Sequence, residues 1–135
     1  MRKVSGKLKR EDGQSAVEFA LVFPILILLV LGMIEFGWIL NAKITLTSAA
    51  REGARITAVN GSYGKDKAYE AILNTISGTS GLSVSLNDVT YELQTNAIAD
   101  IKNVYITVIG TVDPIIGLFV NDPVEIKAQA KMRLE

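Results

Sequence analysis

Few groups in this chain could do chemistry. There is no histidine and no cysteine, which removes the usual general base, the commonest transition-metal ligand, the thiolate nucleophile and any disulfide. Ser62, Ser77, Ser80, Ser83 and Ser85 sit in glycine-rich or turn-like surroundings, with no histidine to activate a hydroxyl. Asp100, Asp113 and Asp122 are too scattered to read as an acid–base pair. The run Gly64-Lys65-Asp66-Lys67 lacks the preceding strand and glycine spacing of a phosphate loop. No catalytic residue, metal site or cofactor is expected, and the chain is not read as an enzyme. One carboxylate stands apart. Glu18 lies where a long apolar run begins, in "GQSAVEF", which starts at Gly13. Its chemistry would be electrostatic, because a carboxylate at the edge of hydrocarbon is costly unless it is paired or snorkels to the interface.

The surrounding elements set that position. Arg2, Lys3, Lys7, Lys9 and Arg10 precede Gly13, against only Glu11 and Asp12. No charge then appears from Phe19 through Ile34, and Glu35 is the only charge from Ala20 to Leu40. At about 1.5 Å per residue, residues 20–40 match a hydrocarbon core of roughly 30 Å. The basic cluster predicts a cytoplasmic N-terminus, and Phe36 and Trp38 suit the far interface. The run is longer than the usual apolar core of a cleaved signal peptide, and the nearest small-residue site, Ser48-Ala49-Ala50, lies well past it.

Glycine, glutamate, early proline, "IEFG" and "AAREGAR", in that order, carry a family resemblance. "GQSAVEF" looks like the processing site of type IV pilin-like proteins. The stretch "GQSAVEFALVFPILILLVLGMIEFGWILNAKITLTSAAREGARITAV", Gly13 to Val59, closely resembles the TadE-like pseudopilins of the tight-adherence (Flp) pilus machinery, and the final "EIKAQAKMRLE" is similar too. The resemblance implies that a membrane aspartyl peptidase, the prepilin peptidase, cuts after Gly13. Gln14 then becomes the first residue and Glu18 the fifth, with the aromatic Phe19 next. Residues 14 and 18 are one helical turn apart, so the new amine and the carboxylate share a face. The family implies pairing between subunits, which sets their register; the plainer alternative is that Glu18 sits among head groups. Pro24 falls inside the membrane helix, where it either shapes helix bundling for subunit assembly or is merely tolerated. Glu35 is expected to face head groups, with a contact to another membrane protein as the alternative.

Past the membrane the helix should continue as a stem to residue 59. Ala49, Ala50, Gly53 and Ala54 form overlapping small-x-x-x-small pairs, with Arg51 and Arg55 one turn apart. Such a strip lets another helix approach closely. It is either a docking strip for a partner subunit or a helix packed on its own domain with solvated arginines. Asn60-Gly61 stops the helix. In "KDKAYEAILNTIS", Ala68, Ile72 and Ile76 recur at helical spacing. The period then becomes two. Val89, Tyr91 and Leu93 share one face of a strand; so do Val104, Ile106, Val108 and Val112, and then Val124, Ile126, Ala128, Ala130, Met132 and Leu134. That alternation predicts antiparallel strands with one wet face. The apolar run Ile115 to Val120, between two Asp-Pro pairs, is either tucked onto the core or an exposed patch for a partner or the membrane surface.

The expected fold class is α+β: a long N-terminal helix, transmembrane then extracytoplasmic stem, followed by a small domain with one helix and an antiparallel sheet of about three strands. The organisation reads as a basic leader over 1–13, membrane helix and stem over 14–59, and the extracytoplasmic domain over 60–135. The expected function is a minor pilin-like subunit of the plasma (inner) membrane. Its partners would be the prepilin peptidase, other pilin-like subunits, the pilus inner-membrane platform and membrane lipid. The alternative is an uncleaved, signal-anchored binding or sensor domain. A net charge of zero argues against nucleic acid, and no small-molecule substrate is expected.

Overall fold

The computed structural model describes residues 8–96 and 101–134. Most of the basic leader and Asp100 lie outside the described residues, as do the side chains of Lys9, Arg10 and Ser62. Helix α1, Leu8–Asn60, runs unbroken for 53 residues and carries Pro24 inside it. At about 1.5 Å per residue it is roughly 80 Å long, so the apolar run and the stem are one rod. It ends where Gly61 takes a left-handed φ of 61°, a conformation open to glycine at little cost. A 3-10 turn, Gly61–Gly64, leads to helix α2, Lys65–Ile76. The inward face of α2 is Ala68, Ile72 and Ile76, the face its period predicted.

The strands are β1 (Leu82–Ser83), β2 (Val89–Asn96), β3 (Ile101–Val112) and β4 (Val124–Arg133). β3 is central. It pairs antiparallel with β4 along one edge, with Val104 opposite Met132 and Val108 opposite Ala128. Along its other edge it pairs with β2, Val89 opposite Val108, and then with β1, Leu82 opposite Val112. β1 and β2 therefore occupy one lane interrupted by a 3-10 turn, Leu86–Asp88, where Ser85 and Asp88 cap each other reciprocally. The sheet has the three lanes expected, plus one short strand that a two-residue segment is too brief to announce by period.

One face of the sheet is dry. Val104, Ile106, Val108 and Val112 of β3 and Ile126, Ala128 and Ala130 of β4 are buried, while Glu125, Lys127, Gln129, Lys131 and Arg133 are exposed. A register slip of one residue would invert that set, so burial fixes the pairing. Leu93 departs from expectation. It lies on the dry-face period of β2 but is 60% exposed, because Tyr91 is the last residue of that edge lane packed against the core.

The dry face is covered by α2 and by the stem of α1. The stem presents Ala42, Leu46, Ala50, Ala54 and Ala58 at steps of four, with Ala49 three beyond Leu46, which makes one stripe along a helix. Small side chains bring the helix axis close to the sheet. At Gly110 of β3 an added Cβ would stand 3.3 Å from Leu46 Cδ1.

Candidate functional site

Gly13, Gln14, Glu18 and Phe19 lie together on exposed helix. The amide Nε2 of Gln14 donates to Oε1 of Glu18 at 3.1 Å. Positions 14 and 18 therefore share a face as read, and the Glu18 carboxylate is turned back toward the start of the apolar segment. A Cβ at Gly13 would meet nothing within 4 Å, so the fold itself does not require glycine there. Phe19 packs on Phe23, ring centroids 5.2 Å apart. Pro24 lies in the same exposed segment, and nothing among the described residues covers the most apolar part of the helix.

The small-residue strip of the stem is taken up inside the chain. Ala49, Ala50 and Ala54 are fully buried. Gly53 meets α2 so closely that a Cβ there would stand 2.8 Å from Ile72 Cδ1. Arg51 and Arg55 remain exposed on the opposite side. Arg55 donates to both carboxylate oxygens of Glu52 at 2.6 and 3.0 Å. That contact holds the Glu52 carboxyl below its usual range and raises Arg55. Both groups are solvated, so the pair adds little to stability. Of the two readings of the strip, packing on its own domain describes the small residues.

Glu35 does not face head groups. It is 2% exposed, covered by the segment between β3 and β4. The backbone N–H of Gly117 donates to its Oε1 at 3.1 Å, while Oε2 is buried with no partner among the described residues. Around it, Glu35, Phe36, Ile39, Phe119 and Val120 line one apolar groove. The indole N–H of Trp38 donates to the carbonyl of Asp113 at 3.2 Å, and the Asp113 N–H donates to the Gly81 carbonyl at 3.0 Å. The Asp-Pro-bounded run is thus folded back along α1. It is only partly tucked: Ile115, Leu118 and Phe119 stay 50–55% exposed. The sequence marked Glu35 and this run separately. Their joining had no local signal beyond a lone charge in one apolar stretch and a lone glycine in another.

Two features thus stand out: an exposed glutamate one turn from Gln14 at the start of the apolar run, and a buried one under a loop near its end. Among the described residues, one helix is long and apolar enough to cross a membrane. Residues 13–55 match the family model described as TadE-like protein, the family that the motifs between Gly13 and Val59 resemble. No curated protein and no solved structure matches the chain.

Proposed function

We propose that this chain, TadE-like over residues 13–55, is a minor pilin-like subunit that supports assembly of a tight-adherence pilus. The observation that carries the reading is where the match begins: at Gly13, the glycine after which a prepilin peptidase would cut. Cleavage there leaves a positive amine on Gln14, one helical turn from Glu18 and on the same face, as the contact between their side chains at 3.1 Å illustrates. The most apolar stretch of the helix, left uncovered among the described residues, is the surface such a subunit would offer to lipid, to other pilin-like subunits and to the inner-membrane platform. The basic leader favours a cytoplasmic N-terminus, with the sheet domain outside.

The test is the N-terminus of protein purified from membranes of cells that carry the peptidase. A chain beginning at Gln14 is expected, and Gly13→Leu should leave the precursor intact. A native chain that still begins at Met1 or Arg2 would overturn the reading and favour a plain signal-anchored binding or sensor domain. A C-terminal alkaline phosphatase fusion should be active, and a C-terminal cytoplasmic reporter dark.

A further inference from the structure

We propose that the segment from Asp113 to Pro123 is a second membrane-inserted element, a wedge whose Ile115, Leu118 and Phe119 contact the acyl chains of the leaflet on the domain's side. The inference rests on reading α1 as a membrane span. The base of the wedge is fixed at Trp38, through its bond to the Asp113 carbonyl. Its tip reaches Gly32, where an added Cβ would stand 3.3 Å from the Phe119 ring. Six helical residues separate those two levels, about 9 Å along the axis. If Trp38 marks the interface, as its amphipathic ring favours, Phe119 lies within the hydrocarbon.

Charge and length point the same way. From Pro114 to Asn121 there is no charged residue, and Asp113 and Asp122 stand at the two ends of the segment. On α1 the uncharged stretch from Phe19 to Ile34 is only about 24 Å long, short of a hydrocarbon core of roughly 30 Å. Continuing to Leu40 gives about 33 Å, which spans the core but places Glu35 inside it. The wedge keeps Glu35 from the acyl chains by covering it, to 2% exposed. In return Glu35 accepts the N–H of Gly117, and irregular backbone at membrane depth needs such a partner. Beside the wedge, Met33, Phe36 and Leu40 of α1 are exposed, and Phe36 shares a groove with Phe119. The exposed apolar face of the wedge therefore continues the lipid-facing surface of the helix, and lipid is the occupant that this surface already has.

The chain has no cysteine of its own, so single-cysteine variants can carry an environment-sensitive fluorophore. Leu118→Cys, Leu26→Cys as a reference inside the span and Glu125→Cys as a reference in water would each be labelled in the full chain. They would be reconstituted into phosphatidylethanolamine–phosphatidylglycerol vesicles containing nitroxide-bearing phosphatidylcholine. The probe at Leu118 is expected to be blue-shifted and quenched by the lipid nitroxide several-fold more than the probe at Glu125, approaching Leu26. Ile115→Cys repeats the reading at an independent position should Leu118→Cys fail to fold. If the Leu118 and Ile115 probes behave like Glu125 while Leu26 is quenched, the wedge is in water and awaits a protein partner; the inference is then wrong and the span stands. If Leu26 is also unquenched, the span fails and the wedge with it.

Discussion

Gly117 donates its backbone N–H to the carboxylate of Glu35 from 82 positions away in the chain, and it does so with a φ of 65°. A Cβ at Gly117 would meet nothing nearer than 3.9 Å, so any cost of a side chain there is conformational rather than steric. An alanine in that region costs roughly 1–2 kcal/mol, and asparagine visits it more readily. Gly117→Ala should therefore speed hydrogen exchange at position 117 by about tenfold, since each 1.4 kcal/mol of local opening is worth one decade. Gly117→Asn should lie between alanine and the native chain. An order that follows side-chain size instead would mean that the segment is crowded, contrary to its geometry.

At Gly53 the cost is steric. A new methyl would fall 2.8 Å from Cδ1 and 3.0 Å from Cγ1 of the fully buried Ile72, with Ile106 Cδ1 behind it at 3.6 Å. Alanine gains about 1 kcal/mol over glycine in a helix, but overpacking costs roughly 1–3 kcal/mol. Gly53→Ala should be net destabilising by about 1 kcal/mol in chemical unfolding of the full chain in detergent. Ile72→Val removes the Cδ1 methyl, so the double variant should be more stable than the two single effects predict, with a coupling of about 1 kcal/mol. Simple additivity would mean that the helices do not meet there.

These two glycines divide what the sequence discloses from what it withholds. The inward faces of α2, β3 and β4 repeat every 3.6 or two residues, and that repeat is local, so Ile72, Ile106 and Ala128 could be placed without knowing what covers them. The strip around Gly53 was legible as a close-packing surface, but spacing alone cannot say whether the second helix belongs to the same chain. Leu93 satisfies the strand period and is exposed nonetheless, because cover is a property of the edge lane and not of the repeat. The Glu35–Gly117 contact is longer-range still. It joins the long apolar helix to a loop between strands, and no periodicity connects them.

The stem supplies core rather than mere length. Leu46 is fully buried beneath β3, and Ala42 through Ala58 belong to the same cluster as the sheet. A fragment of residues 61–135 would lose that layer and should fail to fold, whereas residues 38–135 should unfold cooperatively by circular dichroism. Within the full chain, Leu46→Ala should cost about 2–5 kcal/mol, as leucine truncations in packed cores do. A well-folded 61–135 fragment would show that the sheet and α2 suffice.

Tyr91 sets an expectation in alkali. Its hydroxyl donates to the Lys65 carbonyl at 3.3 Å. Partial burial, then the nearby Asp66 and Tyr69, raise its pKa above the usual value. The folded chain therefore holds this proton more tightly than the unfolded chain. The resulting stabilisation is complete below the unfolded value of about 10 and is lost as pH rises through the folded value. Unfolding midpoints should fall above about pH 10, and Tyr91→Phe should make that fall shallower while lowering stability slightly near neutrality. An unchanged alkaline slope in Tyr91→Phe would assign the fall to other groups.

Glu18 carries the assembly reading, and its neutral isostere separates the roles open to it. Glu18→Gln keeps the shape and removes the charge. If the carboxylate only marks the interface, the variant should behave as the native chain does, because interfacial polar groups are tolerated. If it pairs with the Gln14 amine of a neighbouring subunit, the amide forfeits most of the attraction and leaves that amine uncompensated at the membrane edge. Losing one partner of a partly desolvated pair costs on the order of a few kcal/mol, more than losing a surface ion pair. Glu18→Gln protein should then be made, inserted and cut after Gly13, yet fail to restore pili in a deletion strain or to retain pilin-like subunits on purification. Cleavage is read on the same samples by N-terminal sequencing. Normal pili would remove Glu18 from assembly. An uncut variant would place its role in recognition by the peptidase instead.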